Sequence, residues 1–311
     1  MPIVRTSFMR TLKWLVVCGL CIGFYQEAQA KVARSWSIPR PTQKKKASTL
    51  PSGTSLLVWD TRPFLLQAYW SKMKKSKMSL EKHPKYGKYY SNATPAVPKQ
   101  AYVSKYFSFL LPKKPVKVGD IWQVDSNQRE IFQLLNQFHP RISTKLHNGG
   151  PNGMFVALQA LSKEFAVVIF RLHAELVMVP KKVFYTPGQF AGKMVIHRKS
   201  GRVVYFRTYL PKRSLNVDLN ADSLIEVVEV PRMELLFIPD RHNKKLHQKW
   251  QKARWTKKVD ETKLRHKISQ KFYAFQKIRF VPFRTALVQA QRQNKPIHVI
   301  VIFGPLDDQA C

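Results

Sequence analysis

The chain has 311 residues, 44% of them hydrophobic, which suits one large or two modest domains with buried cores. Lys and Arg number 54 against 18 Asp and Glu, a formal net charge of +36, so the partner implied by charge is polyanionic. There are only 3 cysteines, at positions 18, 21 and 311, which excludes a disulfide-stapled scaffold.

Residues 1–30 follow a targeting pattern: Arg5, Arg10 and Lys13, an apolar run over Trp14–Phe24, and the small-residue site Ala28-Gln29-Ala30. This reads as a cleaved signal peptide. An uncleaved anchor is the rival, although the run is roughly half of the about 20 apolar residues that a spanning helix needs. Val17 and Leu20 precede Cys18 and Cys21 where a lipid-modified cysteine would have a small residue, so lipidation is disfavoured. With the leader removed, Cys311 is the sole cysteine of the mature chain, a lone thiol in an oxidising compartment. An export signal also turns the polyanion expectation away from nucleic acid and toward anionic lipid headgroups or acidic polysaccharide. A solvated basic surface with no dedicated partner is the alternative.

Residues 31–53 carry Lys31, Arg34, Arg40 and Lys44-Lys45-Lys46 with no acid, plus Pro39, Pro41 and Pro51, and read as a disordered basic linker. From Ser55 to Leu111 aromatics alternate irregularly with Lys and Pro, so little beyond short elements is expected there. Gly119-Asp120 marks a turn before a short strand over Ile121–Val124.

The middle of the chain reads as β-rich. Met154–Leu161 and Phe165–Val179 flank the polar turn Ser162-Lys163-Glu164 and predict a hairpin. Phe190–His197 and Val203–Leu210 flank Lys199-Ser200-Gly201, whose glycine can supply the positive φ of a second hairpin turn. Leu224–Val230 and Met233–Ile238 predict a third pair around Pro231. The expectation for residues 54–240 is a β-rich domain built on an antiparallel sheet of about six strands with one face buried.

Asp218, Asn220, Asp222, Glu226 and Glu229 have the spacing of a calcium-binding EF-hand loop, with Ile225 at its hydrophobic position. Ser223 stands where the loop turns on glycine, and the flanks read as strands, so no metal is assigned. His139, His173, His197 and His298 are scattered without ligand spacing.

Residues 241–278 change period. Leu246, Trp250, Ala253, Leu264, Ile268, Phe272 and Phe275 recur at three- and four-residue steps, predicting an amphipathic helix broken near Asp260, with a lysine- and arginine-rich outer face. That face either meets an anionic surface or is the solvated back of a helix docked on the sheet. Residues 279–311 then offer a helix over Pro282–Asn294, a buried strand over Ile297–Phe303, and a loop ending at Cys311. Helix, central strand and then a cysteine on the next loop is how a thioredoxin-like domain begins. The fold class expected is therefore α+β, with an antiparallel β-rich domain, a long basic helix and the start of an incomplete thioredoxin-like domain.

Pro282-Phe283 through Asn294-Lys295, and then Ile302-Phe303-Gly304-Pro305-Leu306-Asp307-Asp308-Gln309-Ala310-Cys311, closely resemble the selenoprotein N segment that ends Leu-Asp-Asp-Gln-Ser-Cys-selenocysteine-Gly. Phe138-His139-Pro140-Arg141, Phe170-Arg171-Leu172-His173-Ala174-Glu175, Pro187-Gly188-Gln189-Phe190 and Arg213-Ser214-Leu215-Asn216-Val217-Asp218 also look like family stretches. The resemblance runs from about Phe132 onward, and several motifs in one order make it specific. It implies a thiol/selenol oxidoreductase of the secretory pathway, in the endoplasmic reticulum lumen or membrane, or in a periplasm if bacterial, linked to calcium homeostasis. Cys311 matches the family's cysteine and is the catalytic candidate. The selenocysteine that would follow it is encoded by UGA, a codon ordinarily read as a stop, so the sequence is expected to be truncated immediately before it. The substrate implied is a disulfide-containing protein. No cofactor is expected, and the 311-residue chain itself is expected not to turn over. A non-catalytic β-domain that binds anionic membrane or polysaccharide, and a calcium-binding accessory protein, are the competing readings.

Overall fold

The computed structural model describes residues 59–74, 82–88, 94–125, 128–139, 142–143, 153–179, 183–212, 216–221, 224–272, 281–297 and 299. Residues 1–30, the linker over 31–53, the Ile297–Phe303 strand apart from Ile297 and Val299, and Cys311 lie outside them.

The two predicted hairpins form the centre of a large sheet. Strand β5 (Met154–Leu161) turns into β6 (Phe165–Leu172) through Ser162, whose hydroxyl accepts the Phe165 N–H at 2.9 Å and so supplies a local partner for the turn. Strand β9 (Phe190–His197) turns into β10 (Arg202–Tyr209) through Gly201, which sits at φ +62°. Around them the sheet has 9 strands in the order β14-β5-β6-β9-β10-β13-β1-β2, with β3 also paired to β5. The others are β1 (Phe64–Trp70), β2 (Lys99–Tyr102), β3 (Ile121–Val124), β13 (Met233–Ile238) and β14 (Lys257–Lys258), and the recorded pairings are antiparallel.

A second sheet has 5 strands in the order β12-β11-β8-β7-β4. These are β4 (Ile142–Ser143), β7 (Glu175–Val179), β8 (Val183–Pro187), β11 (Val217–Ala221) and β12 (Leu224–Val228). Leu176, Val183, Tyr185, Leu219 and Val228 pack from it into one core with Phe64, Leu66, Trp70, Phe170 and Phe190 of the large sheet. Trp70 meets Tyr185 edge to face, ring centroids 5.4 Å apart.

Several expectations are corrected by this architecture. The run Phe165–Val179 is two strands in different sheets: β6 pairs with β9, whereas β7, after His173-Ala174, pairs with β8 and β4. The predicted pairing of Leu224–Val230 with Met233–Ile238 does not occur. Strand β12 pairs with β11, and β13 pairs with β1 and β10, because the chain crosses from one sheet to the other at Val230-Pro231. The buried Asn216 side chain makes that crossing possible, accepting the Val230 N–H at 2.8 Å and donating to the Val230 carbonyl at 3.0 Å. The segment before Leu111 holds more than short elements. Strand β1 has its alternate residues Phe64, Leu66, Ala68 and Trp70 in the core, and a 3-10 helix (Ser104–Leu110) delivers Phe107 and Leu110 beneath it.

The basic stretch expected as a helix broken near Asp260 is two shorter helices with a strand between them. Helix α2 (Lys244–Gln251) ends at Lys252, Lys257–Lys258 adds an edge strand to β5, and Asp260 starts α3 (Glu261–Phe272) by accepting the Lys263 N–H at 2.8 Å on its carboxylate. A short helix α1 (Arg129–Leu135) buries Ile131, Leu134 and Leu135. Helix α4 (Phe283–Gln293) forms as expected and stops at Asn294, which takes the left-handed conformation at φ +49°.

Helices α2 and α3 lie against the face of the large sheet that points away from the second sheet. Leu246, Trp250 and Ala253 pack on Phe165, Val167, Val195 and Val204, while Leu264 and Ile268 pack on Phe155, Ala157 and Ile169. Over β5 and β6 both faces of the sheet are therefore covered, not one. That is why every residue of β5, and every residue of β6 except Arg171, is buried, and why both read as nearly continuous apolar runs, interrupted only by Gln159 and Arg171.

Candidate functional site

The predicted catalytic residue, Cys311, lies outside the described residues, which contain no cysteine. The EF-hand-like spacing resolves into strands: Asp218 and Asn220 are on β11, Glu226 is on β12, and Asn220 pairs with Ile225 between these two antiparallel strands. Glu229 is held by Lys74 at 2.8 Å. Among the described residues no three His, Cys, Asp or Glu side chains come together in a metal-binding group. His197 is placed by the β9–β10 turn, with Nδ1 2.8 Å from the Ser200 hydroxyl, and burial pushes its pKa down.

The helix layer carries the basic surface that the sequence singled out. Every Lys and Arg between residues 241 and 272 is exposed except Arg265, which is half-buried. Acids engage few of them: Glu164 takes Lys249 at 2.6 Å, and Glu261 takes Arg265 at 2.7 Å together with Lys193. Burial alone would raise the Glu261 pKa, but Lys193 and Arg265 outweigh it and hold the carboxyl below its ordinary value. Because the apolar side of both helices is spent on the sheet, this layer can meet an anionic surface by charge and not by inserting an apolar face. Its exposed edge ends in Lys257 and Lys258, and charged side chains there disfavour pairing of the sheet with another strand.

A buried ion pair fixes that layer in place. Arg202 is 0% exposed and lies 2.8 Å from the Asp60 carboxylate, and its Nε donates to the Asn243 side chain at the start of α2. Asp60 also binds Arg62 at 2.6 Å. Burial works to raise the Asp60 pKa, but hydrogen bonds from Arg62 and Arg202 prevail and keep the carboxyl well below the usual carboxylate range. No sequence motif marks this cluster, because its members lie at positions 60, 202 and 243 and are joined only by the fold.

A groove of about 570 Å³ lies near β2, the 3-10 helix and α1, lined by Val97, Tyr102, Val103 and Tyr106 with Gln100, Gln133 and Asn136. It has no charged lining residue, and burial raises the Tyr102 and Tyr106 phenols far above their ordinary pKa, so neither serves as a base near neutrality. Among the described residues no helix is long and apolar enough to cross a membrane.

Selenoprotein N of Mus musculus is 25% identical over 270 residues, which cover 70% of this chain and 48% of the mouse protein. Selenoprotein N of Danio rerio is 26% identical over 262 residues, 68% of this chain and 47% of its own. Selenoprotein N of Homo sapiens is 25% identical over 268 residues, 70% of this chain and 45% of its own. The chain thus spans about half the length of the curated relatives it matches. No family model matches it, and no solved structure does. With the α+β fold in place and similarity to three vertebrate proteins along about 70% of its length, the chain is selenoprotein N-like.

Proposed function

We propose that this selenoprotein N-like chain belongs to a thiol/selenol oxidoreductase of the secretory pathway, acting in the endoplasmic reticulum or an equivalent exported compartment. Cys311 is the redox thiol of that reading. The observation that carries it is the likeness to selenoprotein N, joined to the motif Leu306-Asp307-Asp308-Gln309-Ala310-Cys311. A selenocysteine beside Cys311 would be ionised at neutral pH, where a thiol with an ordinary pKa near 8.5 is mostly protonated. In the first half of a turnover a substrate disulfide takes up two electrons and two protons, one from the Cys311 thiol and one from solvent, to become two thiols, while the Cys311 sulfur and the selenium become bonded to each other; a small thiol reductant is then oxidised as it breaks that bond and completes the cycle. The leader pattern from Arg5 to Ala30 supports the compartment, and the likeness extends the reading to redox and calcium homeostasis. The test is to express the natural gene in its own host with radioactive selenium. The label should sit on the residue after Cys311, and a product free of selenium would overturn the selenol reading.

The exposed cations of α2, β14 and α3 favour a second reading, a non-catalytic role in which this surface meets anionic membrane or polysaccharide. Binding to acidic vesicles should then weaken steeply as salt rises through about 0.5 M, where screening is short-ranged. Equal affinity for neutral and acidic vesicles would overturn it.

A further inference from the structure

The outer face of the large sheet bears a second cluster, built by strand register. Glu234 of β13 lies directly across from Tyr69 of β1 and Tyr209 of β10. Arg232 precedes Glu234 by two residues and Arg207 precedes Tyr209 by two, so the period of a strand puts all five side chains on one face. The residues flanking Glu234, Met233 and Leu235, point the other way and are 1% and 0% exposed.

Glu234 is saturated. Its Oε2 accepts the Arg207 Nε–H at 2.7 Å and lies 2.7 Å from a terminal nitrogen of Arg207; its Oε1 accepts the Arg232 Nε–H at 2.6 Å and lies 2.6 Å from a terminal nitrogen of Arg232. Each guanidinium also rests on an aromatic ring, Arg232 at 3.5 Å from the Tyr69 centroid and Arg207 at 4.4 Å from the Tyr209 centroid. Two anchors fix each guanidinium plane, and three N–H donors of each remain outside the carboxylate. The Glu234 side chain is 6% exposed, whereas Arg207 and Arg232 are 41% and 46% exposed. All three line a pocket of about 440 Å³ with Tyr209 and the exposed Lys212. Lys193, directly across from Arg207 on β9, is engaged by Glu261 and adds nothing. Three cations and one saturated carboxylate leave the pocket with an excess charge of about +2, focused by planar forks of the kind that grip oxyanions.

We propose that this pocket binds a phosphate monoester dianion. Such a group carries about −1.5 to −2 near pH 7 and three terminal acceptor oxygens, matching both the charge excess and the two forks. The phosphate can come from a soluble metabolite or from a lipid headgroup, and both present the same terminal oxygens.

The test titrates the full chain with glycerol phosphate, glycerol and inorganic sulfate. Saturable binding of glycerol phosphate is expected, with none of glycerol. Binding should weaken as pH falls from 7 to 5, through the second phosphate ionisation near 6, while any sulfate binding stays level. Arg232→Lys keeps the charge but loses the fork, and should weaken binding at least tenfold. Lys212→Gln alters an exposed side chain, so it should leave the melting temperature unchanged and weaken binding several-fold, which guards against misreading a folding defect. Vesicles of phosphatidic acid and of phosphatidylglycerol, matched in charge, separate the sources. A preference for phosphatidic acid that glycerol phosphate competes away assigns a lipid, and binding of glycerol phosphate without that preference assigns a soluble ester. No saturable binding up to about 10 mM glycerol phosphate, or unchanged affinity in both variants, would overturn the site.

Discussion

Replacing Phe107 by alanine tests whether the segment before Leu111 is integral to the domain. Phe107 is 0% exposed and has four rings within 5.6 Å: Phe64 at 5.5 Å, Tyr102 at 5.6 Å, Tyr106 at 5.5 Å and Phe206 at 4.8 Å. Truncating such a residue removes its transfer free energy and leaves a cavity, together about 3–5 kcal/mol. Phe64 and Phe206 belong to strands β1 and β10 and are held by the ladders on either side, so the walls cannot collapse far, and the upper half of that range is expected. For a domain of this size each kcal/mol moves the melting temperature by about 2–4 °C, so the loss should reach about 8–20 °C in a thermal unfolding experiment followed by circular dichroism. Phe109→Ala, at a half-buried neighbour 6.4 Å from the Phe107 ring, should cost only about 1 kcal/mol. A Phe107→Ala variant within about 1 kcal/mol of the parent would refute the placement of the 3-10 helix beneath β1.

Asp60→Asn leaves the fully buried Arg202 without its counter-charge and should cost about 3–5 kcal/mol by urea titration. Because the folded Asp60 carboxyl is held below its unfolded pKa of about 4, its stabilisation is complete above that pH and is lost as pH falls toward the folded value; the parent should therefore show an acid-side loss that Asp60→Asn flattens. The Phe170 ring lies over Gly192, its register partner on β9, where a Cβ would fall inside the ring. Gly192→Ala should cost about 1–3 kcal/mol, and pairing it with Phe170→Leu should recover part of that loss; an unfolding midpoint that does not move would contradict the close approach.

The hairpins were legible because their turns and their strands spoke together: Ser162 and Gly201 punctuate runs rich in Val, Ile and Phe. Strand β1 was not, because two of its three outward residues, Leu65 and Tyr69, are large and largely apolar, and the single polar Gln67 between them is too little to mark period two. The switch between sheets at His173-Ala174 is hidden for a related reason, since β6 and β7 are both buried enough to read as one run. Adjacency made β12 and β13 look like a hairpin, whereas β12 pairs with β11 and β13 with β1 and β10, and the Asn216 clamp holds the chain where it crosses between layers. Within the basic stretch, Lys257–Lys258 has no strand signal of its own and pairs because β5 offers a free edge. The Arg207–Glu234–Arg232 cluster has no motif either; 27 residues separate Arg207 from Glu234 in sequence, and the β10–β13 register joins them. Cys311 is a candidate through the motif around it alone, and it lies outside the described residues.

Whether Cys311 carries the redox chemistry is tested most directly by disulfide turnover. Reduction of a protein disulfide, with glutathione in excess as terminal reductant, is measured for the 311-residue chain, for a chain extended past Cys311 by selenocysteine and the rest of the domain, and for the extended chain with Cys311→Ser. A resolving sulfur or selenium must lie within bonding reach for turnover, so the extended chain should cycle, the 311-residue chain should form at most stoichiometric mixed disulfides, and Cys311→Ser should abolish cycling. Equal turnover by the short and extended chains, or full activity in Cys311→Ser, would place the active site elsewhere.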